Sequence, residues 1–82
     1  MAKETHIVDG VKVTLDPKVF DNIEVQEAIE EGRVIGAIKS VVGEGTYAKA
    51  KETLAKDGFT KLTDIANWYA HVANEFGVSA KN

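Results

Sequence analysis

The sequence predicts a mainly α domain: four short helices in one compact body behind a small N-terminal β-hairpin. Three observations carry that prediction. Between residues 22 and 77, apolar residues recur at helical spacing in four segments, and each segment is followed by a glycine: Gly32, Gly43, Gly58 or Gly77. Before them, Val11, Val13 and Leu15 alternate with Lys12 and Thr14, the period-two pattern of a half-buried strand. Between Ile7-Val8 and that strand stands Asp9-Gly10. Asp-Gly is a strong hairpin signal, because glycine tolerates the positive φ that a type I′ turn requires.

The hairpin is expected over residues 5–8 and 11–15, and it needs helices or a partner to lean on, since two strands alone are marginal in water. Leu15-Asp16-Pro17 ends it, as proline cannot donate to a ladder. Val19 and Phe20 lead to Asp21-Asn22, either of which can cap a helix over 23–31 with Val25, Ala28 and Ile29 on one face. Gly32 stops it. The next helix, 33–42, turns Val34, Ile35, Ala37, Ile38, Val41 and Val42 inward and leaves Gly36, Lys39 and Ser40 on the other side. Thr46 or Gly45 is expected to cap a helix over 46–57, whose apolar face is Tyr47, Ala50 and Leu54. The last helix, 61–76, starts at a Thr60 or Thr63 cap and carries the stripe Leu62, Ile65, Tyr69, Val72 and Phe76. At the centres of these faces, Ile38, Leu54, Ile65, Tyr69 and Val72 are expected to be largely buried. Leu54→Ala is then expected to cost about 2–5 kcal/mol.

Eighty-two residues make one domain, 1–82, with the hairpin at 5–15 and the helical body at 22–77. The apolar share of 44% and charged share of 28% are those of an ordinary globular protein. The absence of cysteine excludes disulfides and thiolate metal sites and fits a cytosolic location. A net charge of −3 argues against a general nucleic-acid binder, whose affinity comes from neutralising phosphates. No apolar run is long enough for a membrane span or a signal-peptide core. The polar ends, Met1 to Thr5 and Ser79 to Asn82, are expected to fray.

Chemistry-bearing constellations are sparse. His71 and Glu75 stand at i, i+4, but two ligands without a third make a poor metal site, so His71 is read as a surface residue. Glu27, Glu30 and Glu31 form a solvated face. Gly43-Glu44-Gly45 lacks both the preceding strand and the lysine of a phosphate loop. Ser40 and Ser79 belong to no nucleophile motif, and Ser40 inside a helix is not the attachment serine of an acyl carrier. The sequence therefore names no catalytic, cofactor or metal residue and argues against an enzyme. A helix-turn-helix can be drawn on 33–42 and 46–57, with Lys49, Lys51 and Lys56 toward phosphate, and stands as an alternative reading. Trp68 lies about 80° from the centre of the final stripe by the 100° helical step. It is expected at the rim of the core, partly exposed. One reading has it cover the hairpin or Phe20. The other makes it a partner-binding anchor, extended by Val13, Val19 and Phe20.

From about Phe20 to Phe76 the chain resembles the small tail assembly chaperones of long-tailed bacteriophages. Phe20-Asp21-Asn22 opens an acidic helix that runs into Ala28-Ile29-Glu30-Glu31-Gly32. The apolar segment 34–42 follows, then Val42-Gly43-Glu44 and Tyr47, with Lys51, Leu54 and the Gly58 turn before the closing amphipathic helix. It departs from the family pattern at Gly45 and at Trp68-Tyr69-Ala70-His71, where a more acidic helix is usual. The resemblance implies a non-enzymatic protein of the host cell cytoplasm that needs no cofactor. Its implied partner is the tape measure protein, kept soluble until tail tube subunits assemble around it, and a homo-oligomer is compatible with such a role. A structural tail or head-tail subunit is the remaining alternative.

Overall fold

Asp9-Gly10 sets the hairpin as its sequence dictates. Both residues lie in the left-handed region, with φ of 52° and 86°, as a type I′ turn needs. The computed structural model describes residues 3–77. In it, strands β1 (Glu4–Val8) and β2 (Val11–Leu15) pair antiparallel, with Val8 opposite Val11 and His6 opposite Val13. This register puts Val8, Val11, Val13 and Leu15 on one buried face. Thr5 and Thr14 meet on the other through their hydroxyls at 2.8 Å. Glu4 and Thr5 are thus strand residues and not part of a frayed tail, and the expected fraying of 79–82 lies outside the described residues.

Proline ends the ladder, and the chain then makes a 3-10 helix, Pro17–Asp21, which hydrophobic spacing does not reveal. Asp16 caps it by accepting from the Lys18 N–H at 3.0 Å, and the turn drops Phe20 into the core. Asn22, not Asp21, caps α1 (Ile23–Glu30), accepting from the Glu24 N–H at 2.8 Å. α1 buries Val25 and Ala28, while Ile29 stays on the exposed side of its face. In α2 (Val34–Val42) the buried residues are Ala37, Ile38, Val41 and Val42, with Val34 and Ile35 half-buried, which is the arc the sequence predicts. α2 packs against α1, α3 and β2.

The third helix differs from its expected 46–57 at both ends. α3 (Glu44–Leu54) begins directly after Gly43, whose φ of 90° ends one helix and starts the next, so neither Thr46 nor Gly45 caps it. It stops at Leu54 because Asp57-Gly58 repeats the hairpin's turn chemistry, with φ of 54° and 91°. Lys56 and Phe59 exchange backbone hydrogen bonds across that turn, at 2.8 and 3.1 Å. Thr60 does not cap the last helix either. Its hydroxyl donates to the Lys51 carbonyl at 2.7 Å, and α4 (Leu62–Glu75) starts at Lys61 with no side-chain cap.

On α4 the buried residues are Ile65, Trp68 and Val72, joined by Phe76 just beyond the helix. The stripe is rotated by about 40° toward Trp68 relative to the predicted one. Leu62 is left 60% exposed and Tyr69 half-buried. The cause is Trp68 itself, 1% exposed, whose indole N–H donates to the Val8 carbonyl at 3.1 Å. Of the five residues expected at the core, Ile38, Ile65 and Val72 are buried. Leu54, the last residue of α3, is half-buried, and so is Tyr69.

Two stability predictions follow from this packing. Trp68→Ala removes a large buried ring and the partner of a buried carbonyl, and should cost about 3–5 kcal/mol. Leu54→Ala, at a half-buried site, should cost clearly less than the 2–5 kcal/mol of a filled core site. Denaturant titration read by circular dichroism checks both, since Trp68 is the sole tryptophan and its loss removes the fluorescence signal. Burial raises the Tyr69 phenol above its ordinary pKa of 10.0. The unfolded chain then ionises first, so stability present below pH 10 falls as pH rises past it. Tyr69→Phe should flatten that alkaline decline in melting temperature.

Candidate functional site

The residues expected to form a partner-binding patch are core residues. Trp68, Val13 and Phe20 are 1%, 0% and 5% exposed, and Val19 is half-buried against them. Trp68 is therefore not a rim anchor. It covers the hairpin, and its one donor is already spent on Val8. Phe20 lies with its ring centroid 6.1 Å from Tyr69 and 6.4 Å from Phe76. Periodicity placed Trp68 on a flank because it weighs all apolar residues alike. The largest apolar side chain, with a polar tip that needs a buried acceptor, turned the helix to suit itself.

The two histidines stand at the seam between hairpin and α4. His71, exposed, meets the Asp9 carboxylate at 2.6 Å across the turn, and not Glu75. Glu75 instead lies 3.7 Å from His6 Nδ1, while His6 Nε2 is 3.4 Å from Glu4. The His6 ring packs edge-on to Phe76, with centroids 4.5 Å apart. These are surface contacts of modest worth, and their work is to hold β1 against α4. Among the described residues no three His, Cys, Asp or Glu side chains gather to hold a metal ion. No helix there is long and apolar enough to cross a membrane.

What the surface offers is a groove. Between α1 and α2 opens a cleft of about 450 Å³, with Val25 and Ala28 on one wall and Gly36 and Ser40 on the other. Glu24, Glu27 and Arg33 stand at its edges. Gly36 puts no side chain into it. A glycine inside a helix costs about 1 kcal/mol relative to alanine, and a Cβ built at Gly36 meets nothing within 4 Å. Ser40 adds no bulk either, because its hydroxyl folds back to the Gly36 carbonyl at 3.0 Å. The signal was present in the sequence as Gly36 and Ser40, one turn apart on the polar side of the second helix. Spacing alone could not say that α1 would leave a gap above them.

A second groove of about 430 Å³ lies where the hairpin turn meets α3, between Lys12 and Lys49 over Gly10 and Thr53. Lys51 stands elsewhere on α3: its ammonium lies 5.2 Å from the centre of the Tyr47 ring, with that of Lys39 at 5.3 Å. The three lysines considered for phosphate contact thus do different things.

Gly36→Ala should stabilise the chain by about 0.4–1 kcal/mol, since it restores helix propensity without a clash. A higher denaturant midpoint is the expected result, and a lower one would show that the groove is not open there. The chain matches no family model, no curated protein and no solved structure.

Proposed function

We propose that this chain is a phage tail assembly chaperone, a non-enzymatic protein that binds the tape measure protein in the host cytoplasm and keeps it soluble during tail assembly. The observation that carries the reading is the groove between α1 and α2, lined by Gly36, taken with the resemblance of residues 20–76 to that family. A tape measure is a long helical chain with exposed apolar faces, and its holder needs a recess for apolar side chains within a polar surface. The cleft has room for a few small side chains of one helix, which would meet the edges of Val25 and Ala28, themselves largely buried, among Asn22, Glu24, Glu27, Arg33 and Ser40. Glu24 and Glu27 favour a segment that carries lysine or arginine beside its apolar residues.

The helix-turn-helix alternative has less support. That motif joins its helices through a turn of three or four residues, whereas α2 and α3 meet through Gly43 alone. A subunit that stays in the particle is distinguished by its presence in purified virions.

Co-expression with the tape measure protein tests the proposal. The wild-type chain should raise the soluble fraction of the tape measure. Gly36→Leu, which adds a bulky side chain at the groove from a position where a Cβ meets nothing within 4 Å, should lower it several-fold, with circular dichroism checking that the fold is kept. Unchanged solubility with Gly36→Leu would move the binding site elsewhere. A tape measure equally soluble without this chain would remove the chaperone function.

A further inference from the structure

Opposite charges are segregated along this chain. Between Asp16 and Glu31 stand six carboxylates and one cation, Lys18. Between Arg33 and Lys61 stand six cations and three carboxylates, Glu44, Glu52 and Asp57. Each half also leaves large apolar side chains in water. Ile23 is 64% exposed on the acidic half, and Phe59 and Leu62 are each 60% exposed at the basic end.

The acidic patch is a helix face. Ile23, Glu27 and Glu30 lie at i, i+4 and i+7 on α1, opposite buried Val25 and Ala28. The second patch is a built turn. Phe59 is held by its paired hydrogen bonds to Lys56, and Thr60 ties the same loop to the end of α3. Lys56 and Lys61 bracket it, with Asp57 at the tip between them. The backbone that presents Phe59 is fixed in advance, which lowers the ordering cost of binding. Among the described residues, no ion pair within the chain uses Glu27, Glu30, Lys56 or Lys61.

We propose that these two patches bind each other between copies: the Ile23, Glu27 and Glu30 face of α1 on one copy seats against Phe59, Leu62, Lys56 and Lys61 of a second. Apolar side chains meet at the centre and opposite charges at the rim, the usual anatomy of an interface. Because the two surfaces differ, the contact is head-to-tail. Each pair keeps one free patch of each kind, so assembly continues unless the rotation between copies closes a ring. Salt weakens it, since the charged rim is solvent-exposed.

The test uses the full chain and two double variants, Ile23→Ser with Glu30→Gln and Phe59→Ser with Lys61→Gln. All four side chains are exposed and none lines the groove at Gly36, so fold and groove stay intact. Melting by circular dichroism confirms the fold. Sedimentation should show the wild-type mass rising with concentration above the 8.9 kDa monomer. Each double variant alone should remain monomeric to concentrations at least about tenfold higher. An equimolar mixture of the two variants should form a pair and stop there, because only one intact interface remains. A wild-type chain that stays monomeric, a variant that still assembles alone, or a mixture that fails to pair would each overturn the proposal. The outcome is independent of the tape measure assay.

Discussion

The hydrogen bond from the Trp68 indole to the Val8 carbonyl joins residues sixty apart in the chain, and much of the fold depends on the seam it closes. A two-stranded hairpin has one apolar face and no third strand to share it, so in water it is marginal. Here Val8, Val11, Val13 and Leu15 find cover from α2, α3 and α4, and Trp68 supplies the largest single side chain of that cover. His71 with Asp9, His6 with Glu75 and the His6 ring against Phe76 stand along the same junction, so surface contacts reinforce the buried hydrogen bond there. Removing the tryptophan therefore threatens the packing of the whole N-terminal third and not one contact alone.

The same small chain economises on connections. Gly43 alone separates α2 from α3, and Asp-Gly makes both of its tight reversals, at 9–10 and 57–58. Each of the two turns needs positive φ at consecutive residues. Glycine supplies it freely, and aspartate tolerates it better than most residues with a Cβ. Short, stiff connections leave little conformational freedom to the surface they carry. That is how Phe59 comes to be both highly exposed and held in place.

The outline of the fold is legible in the residues: the hairpin from Asp9-Gly10 and its alternating strand, a helix cap at Asp21 or Asn22, the inward arc of α2 and the order of the helices. What misled was local. Spacing carries the third helix to Asp57 with Gly58 as its stop, whereas Asp57-Gly58 forms a turn of the hairpin's own kind. The difference is that no alternating strand flanks it, and only the cross-turn bonds of Lys56 and Phe59 reveal it. Thr60 looked like a cap because its hydroxyl stands just before α4, but tertiary structure gave that hydroxyl the Lys51 carbonyl instead. The stripe on α4 was off by the preference of one residue. The candidate groove is the least legible feature, since it depends on how α1 and α2 are spaced. That spacing has no periodicity.

These particulars separate what holds the chain together from what it can show to others. The tryptophan that composition singles out as an interface residue is sealed in the core. Of the apolar residues left in water, Ile7 lies on β1 beside Val8, whereas Ile23 and Ile29 sit on α1, Phe59 in the α3–α4 connection and Leu62 at the first residue of α4, six residues before Trp68. Gly36 likewise stands on the outer side of α2, opposite Ala37, Ile38 and Val41 in the core. Ile23, Phe59 and Gly36 are exposed and lie outside β1 and α4, so changes at them leave the Trp68 hydrogen bond to Val8 untouched. Distant sites without shared partners act additively. Stability and association can therefore be varied one at a time in this protein. A change that alters partner binding while leaving the melting transition in place then reports on the surface and not on a loosened fold.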